Sequence, residues 1–260
     1  MSEYLGDLKI SGSGSSNGGE YNNVSVSGSG KINGDIKCNE VHVSGSTTIN
    51  GNVKSSDVHA SGSLKINGNI ETERFKSSGS SHVDGNINAD EIKVSGTAKF
   101  EGHLEAKLLK ASGSVSVENN IHAEEVNVSG GLKVQGDCET DTFRSSGSFK
   151  IDGLLNGDLI QVAVGGRCRA REIGGETIEI KDNFSDNSIF SKIIKAFDFS
   201  IKLVEADTIE GDNIYLEYTK AKVVRGKNIV IGKGCQIDSV EYIEELKALE
   251  GSEISRQKQV

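Results

Sequence analysis

Apolar and small residues along this chain come in pairs two positions apart, and the pairs return with a period of 17. One column reads Val24, Val41, Val58, Phe75, Ile92, Leu109, Val126, Phe143, Ile160, with a smaller column two residues on: Val26, Val43, Ala60, Ser77, Val94, Ala111. A second pair runs Thr47/Ile49, Leu64/Ile66, Ser81/Val83, Ala98/Phe100, and a third Ile36/Cys38, Val53/Ser55, Ile70/Thr72, Ile87/Ala89. A spacing of two places both members on one face of a strand. Three pairs per repeat, starting six, six and five residues apart, predict three short strands and three corners.

Glycine punctuates the repeat. One series is Gly28, Gly45, Gly62, Gly79, Gly96, Gly113, Gly130, Gly147; a second, six residues later, begins Gly34, Gly51, Gly68. These fall at two of the three corners, where glycine either takes a positive φ or lets the chain turn tightly without a Cβ. The Asn before the second corner (Asn33, Asn50, Asn67) suits a turn as well. A motif that holds a fixed register predicts an all-β triangular solenoid, a single-stranded parallel β-helix with one winding per repeat. One winding cannot bury its own apolar face; stacked windings make one narrow core. SGSGSSNG at Ser11 matches SGSGKING at Ser27 with an offset of 16, so the first winding is expected near Leu8. ETERFKSSGSSHVDG, beginning at Glu71, returns as ETDTFRSSGSFKIDG at Glu139, which is four windings on.

The register fades after Ile160, and the reading divides the chain into a regular array over 8–182, an insertion over 183–200 and a less regular β-helical segment over 201–254. Within the insertion, Ile189, Phe190, Ile193, Ile194 and Phe197 follow helical spacing and predict a short amphipathic helix. Three seats are open to it: the solenoid side, another subunit, or a membrane surface. SVEYIEELKALEG reads as a strand pair or a helix, and SRQKQV as a loose tail.

Composition narrows the function. Only 35% of the 260 residues are apolar and 5% aromatic, too few for a thick globular core but enough for a thin one lined with Val, Ile, Ala and Ser. Proline is absent, as a continuous hydrogen-bond ladder requires. A net charge of −9 leaves no basic excess for phosphates, so no nucleic-acid partner is expected. The start MSEYLGDLKI lacks a basic-then-apolar leader and no apolar run is long enough to span a bilayer, so a cytoplasmic protein is expected.

No catalytic, cofactor or metal site is expected. Cys38, Cys138 and Cys168 sit in inward columns and read as small buried hydrophobes. All five His occupy outward columns; His42 and His59 stack on adjacent windings, and His82 stands where Lys31, Lys65 and Lys99 stand in other copies. No Walker, Rossmann or GxSxG pattern appears. Left-handed β-helical acyltransferases are an enzymatic alternative, but they are built from strict hexapeptide steps with aliphatic corners.

The repeats IKCNEVHVSGSTTINGNVKS, INADEIKVSGTAKFEGHLEA and IHAEEVNVSGGLKVQGDCET resemble the bactofilins, bacterial polymer-forming cytoskeletal proteins. Gly34-Asp35-Ile36-Lys37-Cys38 and Gly85-Asn86-Ile87-Asn88-Ala89 carry the family step; the likeness spans about 24–165 and is weaker over 201–250. It implies a right-handed coil that stacks end to end into non-polar filaments without nucleotide. Family members scaffold cell shape, envelope organisation or motility structures, and several attach to the membrane. The expected partners are therefore the chain itself and a peripheral membrane or envelope protein. Independently, a β-helix ends in unpaired backbone edges unless something caps it. Leu8 and Ile10, at the first winding, are the candidate assembly contacts. The non-enzymatic alternative is a non-polymerising scaffold or binding module presenting ladders such as Lys31, Lys65, Lys99 and Lys133.

Overall fold

The computed structural model describes residues 5–182 and 202–260. Among them every regular element is a strand, every strand pairing is parallel, and no helix occurs. The chain divides into two compact units, residues 1–126 with 133–136 and residues 127–132 with 137–260. The helix expected over 183–200, with Ile189, Phe190, Ile193, Ile194 and Phe197, lies outside the described residues.

Unit 1 is a solenoid with the expected step. Val24 lies beside Val41, Val41 beside Val58, Val58 beside Phe75, Phe75 beside Ile92 and Ile92 beside Leu109, each 17 apart. The first step is shorter: the strand Leu8–Ile10 pairs with Asn23–Val26 through Leu8 beside Val24. A regular winding holds a strand of four residues, such as Ser63–Ile66, and one of eight, such as Ile70–Ser77. The eight-residue strand covers two sides. Its buried positions are Ile70, Thr72, Phe75 and Ser77, so alternation skips a beat at Glu73–Arg74 and the third corner is a bend inside the strand. That explains why only two corners carry glycine.

The first glycine row is demanded by proximity. Carbonyls of successive windings hold the stack together: Ser46 N donates to Gly28 O (2.9 Å) and Ser63 N to Gly45 O (2.8 Å). Those bonds draw each glycine onto the carbonyl below it. A Cβ on Gly45 would stand 1.9 Å from Gly28 O, and one on Gly62 2.0 Å from Gly45 O. Of the two roles open to glycine in this row, the absence of a Cβ is the operative one. In the second row Gly34 alone also has a positive φ, 115°.

The asparagines form ladders as well as turns. Asn50 Nδ2 donates to Asn33 Oδ1 (2.8 Å) and Asn67 Nδ2 to Asn50 Oδ1 (2.7 Å). Past the glycine, a second series links side chain to backbone. Asn52 N donates to Asp35 Oδ1 (2.7 Å), Asn69 N to Asn52 Oδ1 (2.8 Å) and Asn86 N to Asn69 Oδ1 (2.8 Å). Each rung satisfies a backbone N–H that a corner turns away from its neighbour. Inside, large and small residues compensate. Phe75 meets Phe100 edge to face at 5.8 Å, and Ser77 and Ser81 fill the rest of that layer with a mutual 2.7 Å hydrogen bond.

Unit 2 keeps parallel stacking but loses the constant step. Leu155 sits beside Cys138 at a step of 17, Glu172 beside Leu154 at a step of 18, with an irregularity between Ile151 and Leu154. Arg167–Lys181 pairs directly with Leu203–Leu216, so the two are neighbours in the stack at a step of 36. The next steps are 15, as Thr208 to Val223, then 16, as Val223 to Ser239. The ends of these two strands are tied together. Asp182 N donates to Glu217 Oε2 (2.9 Å), and the half-buried Asp182 carboxylate meets Lys202 at 3.4 Å and Lys233 at 3.7 Å. Tyr218 beside it has φ 47°, unusual for a residue with a Cβ. The stretch SVEYIEELKALEG resolves as part of the strand Gln236–Ala248. SRQKQV is no loose tail: Glu253–Gln259 is a strand, with Ile254 beside Ile237 and Gln257 beside Val240. Its alternation is hidden in the sequence because only Ile254 is apolar.

Candidate functional site

In unit 1 the strands Leu8–Ile10 and Ser13–Glu20 each have one parallel neighbour among the described residues, Asn23–Val26 and Ser29–Val43 respectively. Their outer backbone groups form an open edge. Leu8 and Ile10 occupy the columns of Val24 and Val26, which are 1% and 0% exposed, yet both are only half-buried because nothing described covers them from the outer side. Ile10 packs down against Gly30, where a Cβ would come 3.4 Å from its Cδ1. The adjoining side is polar: the column of Ile32 ends in Ser16 and that of Ile36 in Gly19. The apolar part of this edge is therefore narrow and centred on Leu8 and Ile10, with Leu5 exposed nearby in the chain. Lys9, between them, points outward and pairs with Asp7 at 3.1 Å.

Unit 2 has an open edge that the sequence pattern does not single out. Glu253–Gln259 pairs on one side only, with Gln236–Tyr242, and among the described residues no strand pairs with the outer side of 243–248. The column Ile178, Ile214, Ile229, buried throughout, ends in half-buried Leu246. Ile243 is 52% exposed and Val260 63%, the two most exposed large apolar residues described. The signal in sequence is an apolar column that stops while the chain continues. It cannot be read without the steps of 36, 15 and 17 that join Ile178, Ile214, Ile229 and Leu246.

The strands offer little to catalysis. All four cysteines are free. Cys138, Cys168 and Cys235 are buried, whereas Cys38, expected inside, is half-buried, with its Sγ donating to Glu40 O at 3.5 Å. Burial pushes the Cys138 thiol up to about 12 and the Cys38 and Cys235 thiols up to about 11, so all three stay protonated and unreactive near neutral pH. His42 and His59 stack edge to face at 5.1 Å, each beside a serine hydroxyl.

One outward cluster does bring potential metal ligands together. His82, Asp84 and Glu101 present donor atoms all within 4.8 Å of one another. A search for Cys/His spacing misses it, because the ligands come from adjacent windings.

Two Bacillus subtilis (strain 168) proteins are similar to parts of this chain. "Uncharacterized protein YhbF" is 49% identical over 72 residues, 28% of this chain and 26% of its own length. "Uncharacterized protein YhbE" is 55% identical over 40 residues, 15% of this chain and 17% of its own length. The chain thus spans about a quarter or less of the curated relatives it matches. No solved structure matches. Residues 2–80, which contain the open edge of unit 1 and the windings that follow it, match the model of the bactofilin family, described as polymer-forming cytoskeletal.

Proposed function

We propose that this protein is a cytoskeletal scaffold that self-assembles end to end into filaments without nucleotide. The observation that carries the reading is the open parallel-strand edge at Leu8–Ile10 and Ser13–Glu20, lying within the stretch that matches a polymer-forming family. An uncovered edge is a template for another chain. A contact between two copies through the same edge would be a closed two-fold interface, with Leu8 and Ile10 meeting their counterparts. The Ile243, Leu246 and Val260 edge of unit 2 serves a second such contact, and two self-complementary edges per chain suffice for an unbranched, non-polar polymer. The coil is read as right-handed, as the family resemblance implies. The 183–200 insertion is assigned to a peripheral membrane or envelope partner of a cytoplasmic filament, whose role is structural rather than catalytic.

Charging the first edge tests this. Ile10→Asp introduces a carboxylate where two apolar columns would meet, and negative-stain images should show filaments shortened or lost while circular dichroism stays that of the wild type. Filaments of unchanged length would remove Ile10 from the interface.

A further inference from the structure

The outward face of unit 1 that carries Lys31, Lys65 and Lys99 has one imidazole in the same column, His82, seated between Lys65 and Lys99 on neighbouring windings. The acidic partners stand two residues on. Asp84 N donates to Ile66 O (3.0 Å) and Glu101 N to Val83 O (2.9 Å), so the two carboxylates also sit on adjacent windings. His82 Nε2 lies 2.7 Å from Asp84 Oδ1 and 3.0 Å from Glu101 Oε1. A single ring nitrogen carries one lone pair or one proton, so it cannot bond well to both oxygens. A cation placed among the three serves all of them.

We propose that His82, Asp84 and Glu101 form a surface site for a divalent transition ion of the zinc class. One imidazole with two carboxylates favours such an ion over calcium or magnesium, which prefer all-oxygen sets. Zinc bonds of about 2.0–2.1 Å set tetrahedral ligand atoms about 3.3 Å apart. The separation to Asp84 needs to open by about 0.6 Å and that to Glu101 by about 0.3 Å, within the reach of small side-chain rotations. The fourth position is open: the three side chains are about one-third exposed (34%, 36% and 36%), which admits water or a donor from another molecule.

The neighbouring ammonium groups oppose the ion but do not block it. Lys99 lies 2.9 Å from Glu101 Oε1 and also 2.8 Å from Glu118 Oε1, so it keeps a carboxylate partner when the metal takes Glu101. Lys65 approaches the other oxygen of Asp84, Oδ2, at 3.6 Å, leaving Oδ1 to the ion. Their charge lowers the affinity, and Lys99 must yield Glu101 Oε1 to the ion while keeping Glu118.

The test is calorimetric titration of zinc chloride into the chelator-treated full chain, with His82→Lys and Glu101→Gln beside the wild type. His82→Lys puts into the column the residue that Lys65 and Lys99 already supply, so it removes the imidazole and preserves the ladder. The expected result is one ion per wild-type chain and a loss of about tenfold or more in affinity for each variant, with metal-free melting of His82→Lys unchanged. Doubly substituted His42→Ala/His59→Ala should bind as the wild type does. Binding that survives His82→Lys, or that follows the His42/His59 pair instead, overturns the assignment, as does no binding by the wild type at zinc on the order of 100 μM.

Discussion

The two units solve the same stacking problem with different strictness. In unit 1 each regular winding repeats the last at a step of 17, so identical groups meet: glycine on glycine, asparagine on asparagine, valine on valine. In unit 2 the step varies between 15 and 19, apart from the 36 that joins Glu172 to Thr208, and the asparagine ladder shrinks to the single rung between Asn213 and Asn228 among the described residues. Both bury an equally closed core; Ile160, Ile178 and Val224 are as inaccessible as Val41 and Ile92. Inward pairing is thus what a winding requires. A constant step adds long asparagine ladders at the corners. The demand for glycine arises in either unit wherever corner glycines stack: a Cβ on Gly175 would stand 2.2 Å from Gly157 O, and one on Gly211 2.3 Å from Gly175 O.

That contrast can be broken at its sharpest point. Gly62→Ala in unit 1 would push a Cβ to 2.0 Å from the Gly45 carbonyl oxygen, a backbone atom that cannot swing aside. A loss of about 3 kcal/mol in stability is expected. Gly166→Ala in unit 2, with nothing within 4 Å of the added carbon, should change stability by less than about 0.5 kcal/mol. Urea denaturation of both variants checks this, and comparable losses would show that stacking on the winding below does not set the demand for glycine. A smaller effect sharpens the comparison. Asn50→Ala deletes a residue that both donates to Asn33 and accepts from Asn67, and should cost about 1–2 kcal/mol. Asn228→Ala removes a single exposed rung, 3.3 Å from Asn213 Oδ1, and should fall nearer zero by the same measurement.

The same difference explains what the sequence disclosed. Columns can be aligned by eye only while the period is constant, so the step of 17, the inward pairs and the start at Leu8 were all legible. Beyond Ile160 no fixed offset brings Thr208 beside Glu172 or Ser239 beside Val223, and the terminal strand Glu253–Gln259 looked like a tail. The close approach behind the first glycine row was hidden for another reason: the carbonyl 2.0 Å from the missing Cβ of Gly62 belongs to the winding below, not to the local turn. Leu8 and Ile10 could be named because they begin a column. Leu246 could not, because its column is found only through steps of varying length, and Ile243 could not, because it falls in a register irregularity. The His82 cluster lay between these cases. Asp84 and Glu101 are 17 apart and His82 interrupts a lysine column, so the pattern was on the page, but its three donors converge only once the windings are stacked.

The most direct test of assembly as this protein's activity is sedimentation velocity of the full chain over a range of concentrations with no nucleotide present. Open, self-complementary edges predict a sedimentation coefficient that climbs with concentration toward polymers, and a return toward small species for Ile10→Asp. A single monomeric boundary at every concentration would contradict the account and leave a stable solenoid that presents its faces to other partners.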